Sequence, residues 1–260
     1  MSMDVVPIGI IFVATIIIMV VAVEAGHVLG DAVHRRSEDE KEPPVSAKMG
    51  AILGLVAFML AFTFGIVTNR YDSRKELVRN EANAIGTAYL RSDFMSEPDR
   101  GKTKMLYREY LDTRIAAAVS RSLGEQHKAL IESDSVQRQL WEMAVANAYK
   151  DMNSDVAALY IDSLNQVIDI HALRVAVAMQ ARIPAGIWLV LYVLVILGMI
   201  GIGYQTAIAE SARRSWATPI LAFAFSLVIV LIASLDRPQS GFITVSQQPL
   251  IDLRASMEMK

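Results

Sequence analysis

No cysteine occurs anywhere in the 260 residues. That excludes a disulfide framework, a thiolate metal site and a cysteine nucleophile. Histidine is nearly as scarce: His27, His34, His127 and His171 are scattered along the chain, and none falls in a catalytic or metal-binding spacing. A basic excess is missing too. Twenty-five Lys and Arg face 27 Asp and Glu, a net charge of −2, so no nucleic-acid partner is expected, since that partner needs a positive footprint. There is no phosphate-binding loop, no Gly-x-Ser-x-Gly, no His-Glu-x-x-His and no Rossmann glycine pattern. The chain reads as a non-enzyme with no catalytic residue, no cofactor and no metal.

Charge itself is absent from four long stretches. Val5–Val23, Met49–Asn69, Ile183–Ala209 and Ser215–Leu235 contain no Asp, Glu, Lys, Arg or His over 19, 21, 27 and 21 residues. About 20 apolar residues suffice to cross a ~30 Å hydrocarbon core as a helix. The expected fold is therefore an all-α membrane protein with four transmembrane helices. The first stretch reads as a retained helix and not a cleaved leader. Only Asp4 precedes it among charged residues, and it ends in Glu24-Ala25-Gly26-His27 without a small-x-small cleavage site.

The remaining charge is concentrated. Residues 70–182 carry 16 basic and 16 acidic side chains, with Pro98 as the sole proline. Apolar residues recur there near a 3.6-residue period, and no sustained alternation appears. The expectation is a long-helix bundle inserted between membrane helices 2 and 3, with helices near 70–95, 99–122, 125–149 and 152–182. The first continues membrane helix 2, and the last feeds membrane helix 3 with Pro184 in a new first turn. The domains read as residues 1–69 (helices 1 and 2 with a polar loop), 70–182 (the insert), 183–235 (helices 3 and 4) and 236–260 (a C-terminal turn and tail). Within the tail, Phe242–Ser246 reads as extended and Leu250–Lys260 as a short amphipathic helix. Basic residues near the membrane ends divide six against eight between the two faces, so the positive-inside rule does not fix orientation.

Several residues are candidates for function. On the second membrane helix, Gly50, Gly54, Ala57, Ala61 and Gly65 form a small-residue stripe of the kind that lets helices approach closely in lipid. Phe58, Phe62 and Ile66 form a second stripe. Around a subunit axis it would stack apolar rings that gate ions by dewetting; otherwise these side chains face lipid or other helices. Glu24 and His27 share a face at the mouth of the first helix. They read either as a proton- or metal-linked switch or as an interfacial pair; two ligands do not complete a metal site. Arg237 is expected to meet the insert, for instance at Asp72 or Glu76.

Four segments together are distinctive: Glu24-x-Gly26-x-x-x-Gly30, Ala61-Phe62-Thr63-Phe64-Gly65, Glu81-Ala82-Asn83-Ala84-Ile85-Gly86, and Leu235-Asp236-Arg237-Pro238-Gln239-Ser240-Gly241. In these the chain resembles the bestrophin-like family of bacterial membrane proteins, distantly similar to bestrophin anion channels. The resemblance implies a homo-oligomer, pentameric by analogy, in the bacterial inner membrane. It also implies a cytoplasmic insert, inorganic anions as the conducted species, and Phe58, Phe62 and Ile66 as the neck of the pore. The acidic calcium clasp of eukaryotic bestrophins is not matched, since that region offers only Asp236, Asp252 and Glu258. The leading expectation is an oligomeric ion channel. The alternative is a non-conducting scaffold or sensor whose helical insert binds a partner.

Overall fold

The computed structural model describes residues 6–34, 42–120, 122–180, 182–208, 217–237 and 241–258. Its helices are α1 (Ile8–His34), α2 (Glu42–Arg91), α3 (Asp99–Val119), α4 (Leu123–Ala148), α5 (Asp155–Gln180), α6 (Ala185–Ile208), α7 (Ala217–Asp236) and α8 (Gln248–Ser256), with a short 3-10 turn over Ser92–Phe94. No strand occurs among the described residues. The extended expectation for Phe242–Ser246 gives way to irregular chain, because a single run with no neighbouring strand has nothing to pair with.

Four helices are long and apolar enough to cross a membrane: α1, the first part of α2, α6 and α7. Two depart from the charge-free stretches in an informative way. α1 continues to His34, so Glu24, His27 and Asp31 lie on the helix and not in a loop. α2 begins at Glu42, with Pro43 and Pro44 in its first turn, where a missing N–H costs nothing. α2 then runs to Arg91 without a break. α5 stops at Gln180 and α6 restarts at Ala185. Pro184 enforces that interruption, since proline disfavours helical backbone in the residue before it. The acidic loop after His34 and the Arg213-Arg214 loop lie outside the described residues.

The chain divides into two compact units. One comprises residues 1–70 and 182–243; the other comprises 71–181 and 244–260.

In the first unit, α1 packs against α6 and α7. Glycine makes the α1–α6 contact possible. A Cβ added to Gly26 would fall on the Ile200 carbonyl oxygen, and one added to Gly203 on the Val23 carbonyl oxygen. At Gly30 an added Cβ would stand 2.7 Å from the Ala207 Cβ and 2.8 Å from the Tyr204 carbonyl oxygen. The two backbones are thus in direct contact, the arrangement small residues permit between helices in lipid. Polar side chains inside the unit are satisfied locally. Thr15 and Tyr192 share a 3.0 Å hydrogen bond, and Thr63 and Ser226 donate to the carbonyls of Met59 and Ala222.

In the second unit, a core of Val78, Ile85, Tyr107, Leu111, Leu140, Tyr160, Leu164 and Leu250 is closed on all sides. The C-terminal segment belongs to this core. Leu250 and Met257 are fully buried, Leu253 packs against Gly86, and Arg254 grips Asp112 with two bonds of 2.8 and 3.1 Å. Arg108 donates to the Met257 carbonyl at 2.7 Å. The expected tail helix is thus present, and it folds onto the second unit.

Candidate functional site

Each residue of an α-helix turns it by roughly 100°, so spacing sorts the membrane part of α2 into faces. Val45, Met49, Ile52, Val56, Leu60, Thr63 and Val67 follow one another at three- and four-residue steps. Val56, Leu60, Thr63 and Val67 are all 4% exposed or less. This seam meets α6: a Cβ on Gly198 would lie 3.4 Å from Leu53 and 3.7 Å from Val56, and one on Gly201 would collide with the Met49 sulfur. Gln205 on α6 donates to Ser46 at 3.2 Å.

The rest of α2's circumference is uncovered. Gly50, Gly54, Ala57, Ala61 and Gly65 are exposed, and a Cβ on Gly50, Gly54 or Gly65 would meet nothing within 4 Å. Within the subunit this stripe packs against no other described helix. Beside it, about 100° further round the helix, stand Phe58 and Phe62, 65% and 59% exposed, with Ile66 half-buried. The two rings stack at 6.4 Å with 17° between their planes. α2 therefore has three faces: an apolar seam spent on its own subunit, a smooth face of small residues, and an aromatic face.

At the end where α2 passes Arg70, the Leu-Asp-Arg-Pro motif gathers the helix ends of the first unit. Asp236, at the end of α7, accepts the Ile183 N–H at 3.0 Å and pairs with Arg70 at 3.5 Å; its own carbonyl accepts from Arg182 at 2.5 Å. Arg237 is buried and donates to the Val6 carbonyl at 2.6 Å. That carbonyl lies just before α1, so the start of the first membrane helix stands beside the end of the fourth. Gly241 lies so close to the Ser234 carbonyl oxygen that a Cβ could not fit, and the Ser234 hydroxyl accepts the Phe242 and Ile243 N–H groups at 2.8 and 3.2 Å. Pro238 lies outside the described residues.

Glu24 and His27 are both exposed. Among the described residues, no group of three or more His, Cys, Asp or Glu is placed to hold a metal ion.

The second unit holds a polar cluster that the sequence did not reveal. Glu81 is completely buried. One carboxylate oxygen accepts from Arg114 Nε at 2.8 Å, and the other pairs with the Arg174 guanidinium. Arg174 also donates to Gln247 at 3.0 Å. Burial holds both guanidiniums below their ordinary range, Arg174 at about 10. Asn83, two residues on, is exposed. Nearby, the Tyr110 hydroxyl meets His171 Nδ1 at 3.0 Å and accepts from Gln137 at 3.0 Å, while His171 Nε2 faces Asp134 at 3.4 Å. Burial, aided by Arg114, pushes His171 down from 6.5 to about 4.

The unfolded chain therefore binds a proton that the folded one refuses between those two values. His171 contributes stability above pH 6.5 and loses it progressively as pH falls to about 4. The apparent unfolding midpoint should drop through that window, and His171→Gln should flatten the drop. An equal slope in the variant would remove His171 as its source.

A family model for the bestrophin-like domain matches residues 17–250. Two solved structures share the fold. Both are crystal structures of a membrane protein, and each match covers 97% of this chain and 96% of the other. One has a TM-score of 0.59 at 12% identity, the second a TM-score of 0.55 at 13% identity. No curated protein matches the chain.

Proposed function

Since the chain belongs to the bestrophin-like family, we propose that it assembles as a ring of identical subunits, pentameric by analogy, and conducts ions along an axis lined by α2. The carrying observation is the division of α2 into three faces. A helix that lines a shared axis needs one face for its own subunit, one for its neighbour and one for the lumen. The seam of Val56, Leu60, Thr63 and Val67 serves the first. The stripe of Gly50, Gly54, Ala57, Ala61 and Gly65 supplies the second, because small residues allow close helix contact where hydrophobicity gives no drive. Phe58, Phe62 and Ile66 supply the third, an apolar neck able to exclude water and gate by dewetting. In this reading the insert lies on the cytoplasmic side of the bacterial inner membrane.

In reconstituted bilayers, Phe58→Ala and Phe62→Ala should raise single-channel conductance, because each removes a ring from the constriction. An absence of current from the wild type and both variants would overturn the channel. The competing reading, a non-conducting scaffold or sensor, draws on the extent of the second unit; a monomer or dimer without an axial cavity in detergent would select it.

A further inference from the structure

α1 carries a second bare surface of the first unit. On the side turned away from α6 runs an apolar groove lined by Val20, Val21, Glu24, Ala25, Val28 and Leu29. Val21, Val28 and Leu29 are 62%, 66% and 53% exposed. Lipid is a poor cover for this groove. Glu24 stands 16 residues beyond Ile8, where the span begins. That is ~24 Å of helix, within a hydrocarbon core ~30 Å thick. Ionisable side chains at such depth face protein or a water-filled cavity.

α6 shows where the groove lies relative to α2. Its Ile200, Gly203 and Tyr204 meet α1, and its Gly198, Gly201 and Gln205 meet α2. Helical spacing puts these two sets roughly 140° apart, so α1 and α2 stand on opposite flanks of α6. Their levels are fixed as well. Gly26 and Met49 meet α6 at the adjacent residues Ile200 and Gly201, and Gly30 and Ser46 at Tyr204 and Gln205. α1 and α2 run in opposite directions, so Val21 is level with Gly54, and Val28 with Ala47.

We propose that the α1 groove of one subunit receives the bare face of α2, at its Gly50–Gly54 end, from a second copy of this chain. This deepens the ring reading and rests on it. A ring joins two different patches, one from each flank of the subunit, and the small-residue face of α2 is only one of them. Rotation about an axis along the membrane normal leaves every residue at its own depth. The groove and the Gly50–Gly54 face share their depth, so the rotation can bring them together. Their shapes agree too. α1 offers projecting branched side chains. α2 offers Gly50 and Gly54, where an added Cβ would meet nothing within 4 Å, and a smooth face lets a neighbouring helix come close. The exposed faces of α6 and α7 carry Leu189, Val193, Leu197, Ile220 and Phe223, which would hold the valines of α1 at a distance.

The chain has no cysteine, so paired cysteines report the contact without background. Val21→Cys and Gly54→Cys are placed in one full-length chain, which is oxidised in membranes and run on a non-reducing denaturing gel. A disulfide needs Cα atoms within about 7 Å, and α6 separates the two sites inside one subunit. The pair should therefore link different subunits and give a ladder of covalent multimers that collapses on reduction. Val28→Cys with Ala47→Cys, a second matched level, should give the same ladder, and it decides the matter if the first pair does not fold. Val28→Cys with Gly65→Cys, ~27 Å apart in depth, should stay monomeric. No ladder from either matched pair, or an equal ladder from the mismatched one, would overturn the docking. Dimers from Gly54→Cys alone would set α2 against α2 and overturn it as well. Wild-type current without a matched ladder would remove this interface and leave the channel standing. A matched ladder without current would do the reverse.

Discussion

Glu81→Ala should be among the most damaging single substitutions in this chain. The carboxylate is fully buried between Arg114 and Arg174, and its removal takes from two buried guanidiniums the carboxylate that each is paired with. Breaking a buried ion pair from one side costs about 3–5 kcal/mol. For a unit of this size that is on the order of 10 °C or more in melting temperature. The loss comes from the stranded charges and not from any special worth of the carboxylate. A triple replacement, Glu81→Leu with Arg114→Met and Arg174→Met, should therefore recover most of it, as apolar substitutes for buried ionic groups commonly do. Thermal melts in detergent followed by circular dichroism distinguish the outcomes. A Glu81→Ala protein that melts with the wild type would show that the cluster is not a structural bracket.

The second large effect is expected where α1 crosses α6. Gly26→Ala places a methyl on the Ile200 carbonyl oxygen, and Gly203→Ala places one on the Val23 carbonyl oxygen. Backbone atoms cannot rotate away as a side chain can, so the helices must part. Overpacking of this kind costs about 1–3 kcal/mol, and Gly26→Leu should prevent the pair from forming. The two alanine variants should be non-additive, because both act on one crossing and the first already separates it. Gly50→Ala and Gly54→Ala are the matched controls. Neither added methyl meets anything in the subunit, so the subunit's melt should hold or rise slightly, alanine favouring helix over glycine by about 0.5–1 kcal/mol. Their effect should appear in assembly, as a shift of detergent-solubilised mass toward smaller species. An intact melt for Gly26→Ala would contradict the packing.

These two sites mark where sequence reading stops. The four membrane helices are visible because absence of charge over a bilayer's thickness is a property of a single segment. The three faces of α2 are partly visible for the same reason, since spacing along one helix is enough to draw its stripes. Which stripe touches what is a property of pairs. The glycines of α2 look like the close-packing residues. Yet within the subunit the close contact is made by Gly26, Gly30 and Gly203, because it depends on the helix that happens to lie opposite. Glu81 stands out only as part of a distinctive segment. Arg114 and Arg174 lie on different helices, and nothing local pairs them with it. Arg237 donates to the Val6 carbonyl, and a backbone acceptor before a helix leaves no trace in side-chain composition. The tail helix is legible from its amphipathic spacing, and its place on the second unit is not.

The gathering of contacts at Asp236 and Arg237 bears on how the membrane helices can move. Through Arg70, Ile183, Val6 and α7 itself, one cluster of two residues ties an end of every membrane helix. The opposite end is fastened as well: α1 meets the α6 backbone at Gly30, and the start of α2 reaches α6 through Met49 and Ser46. Rods tied at both ends resist splaying. The bare face of α2 that carries Gly50 and Gly54 is therefore held at a fixed angle to its own subunit, as a wall and not as a flap.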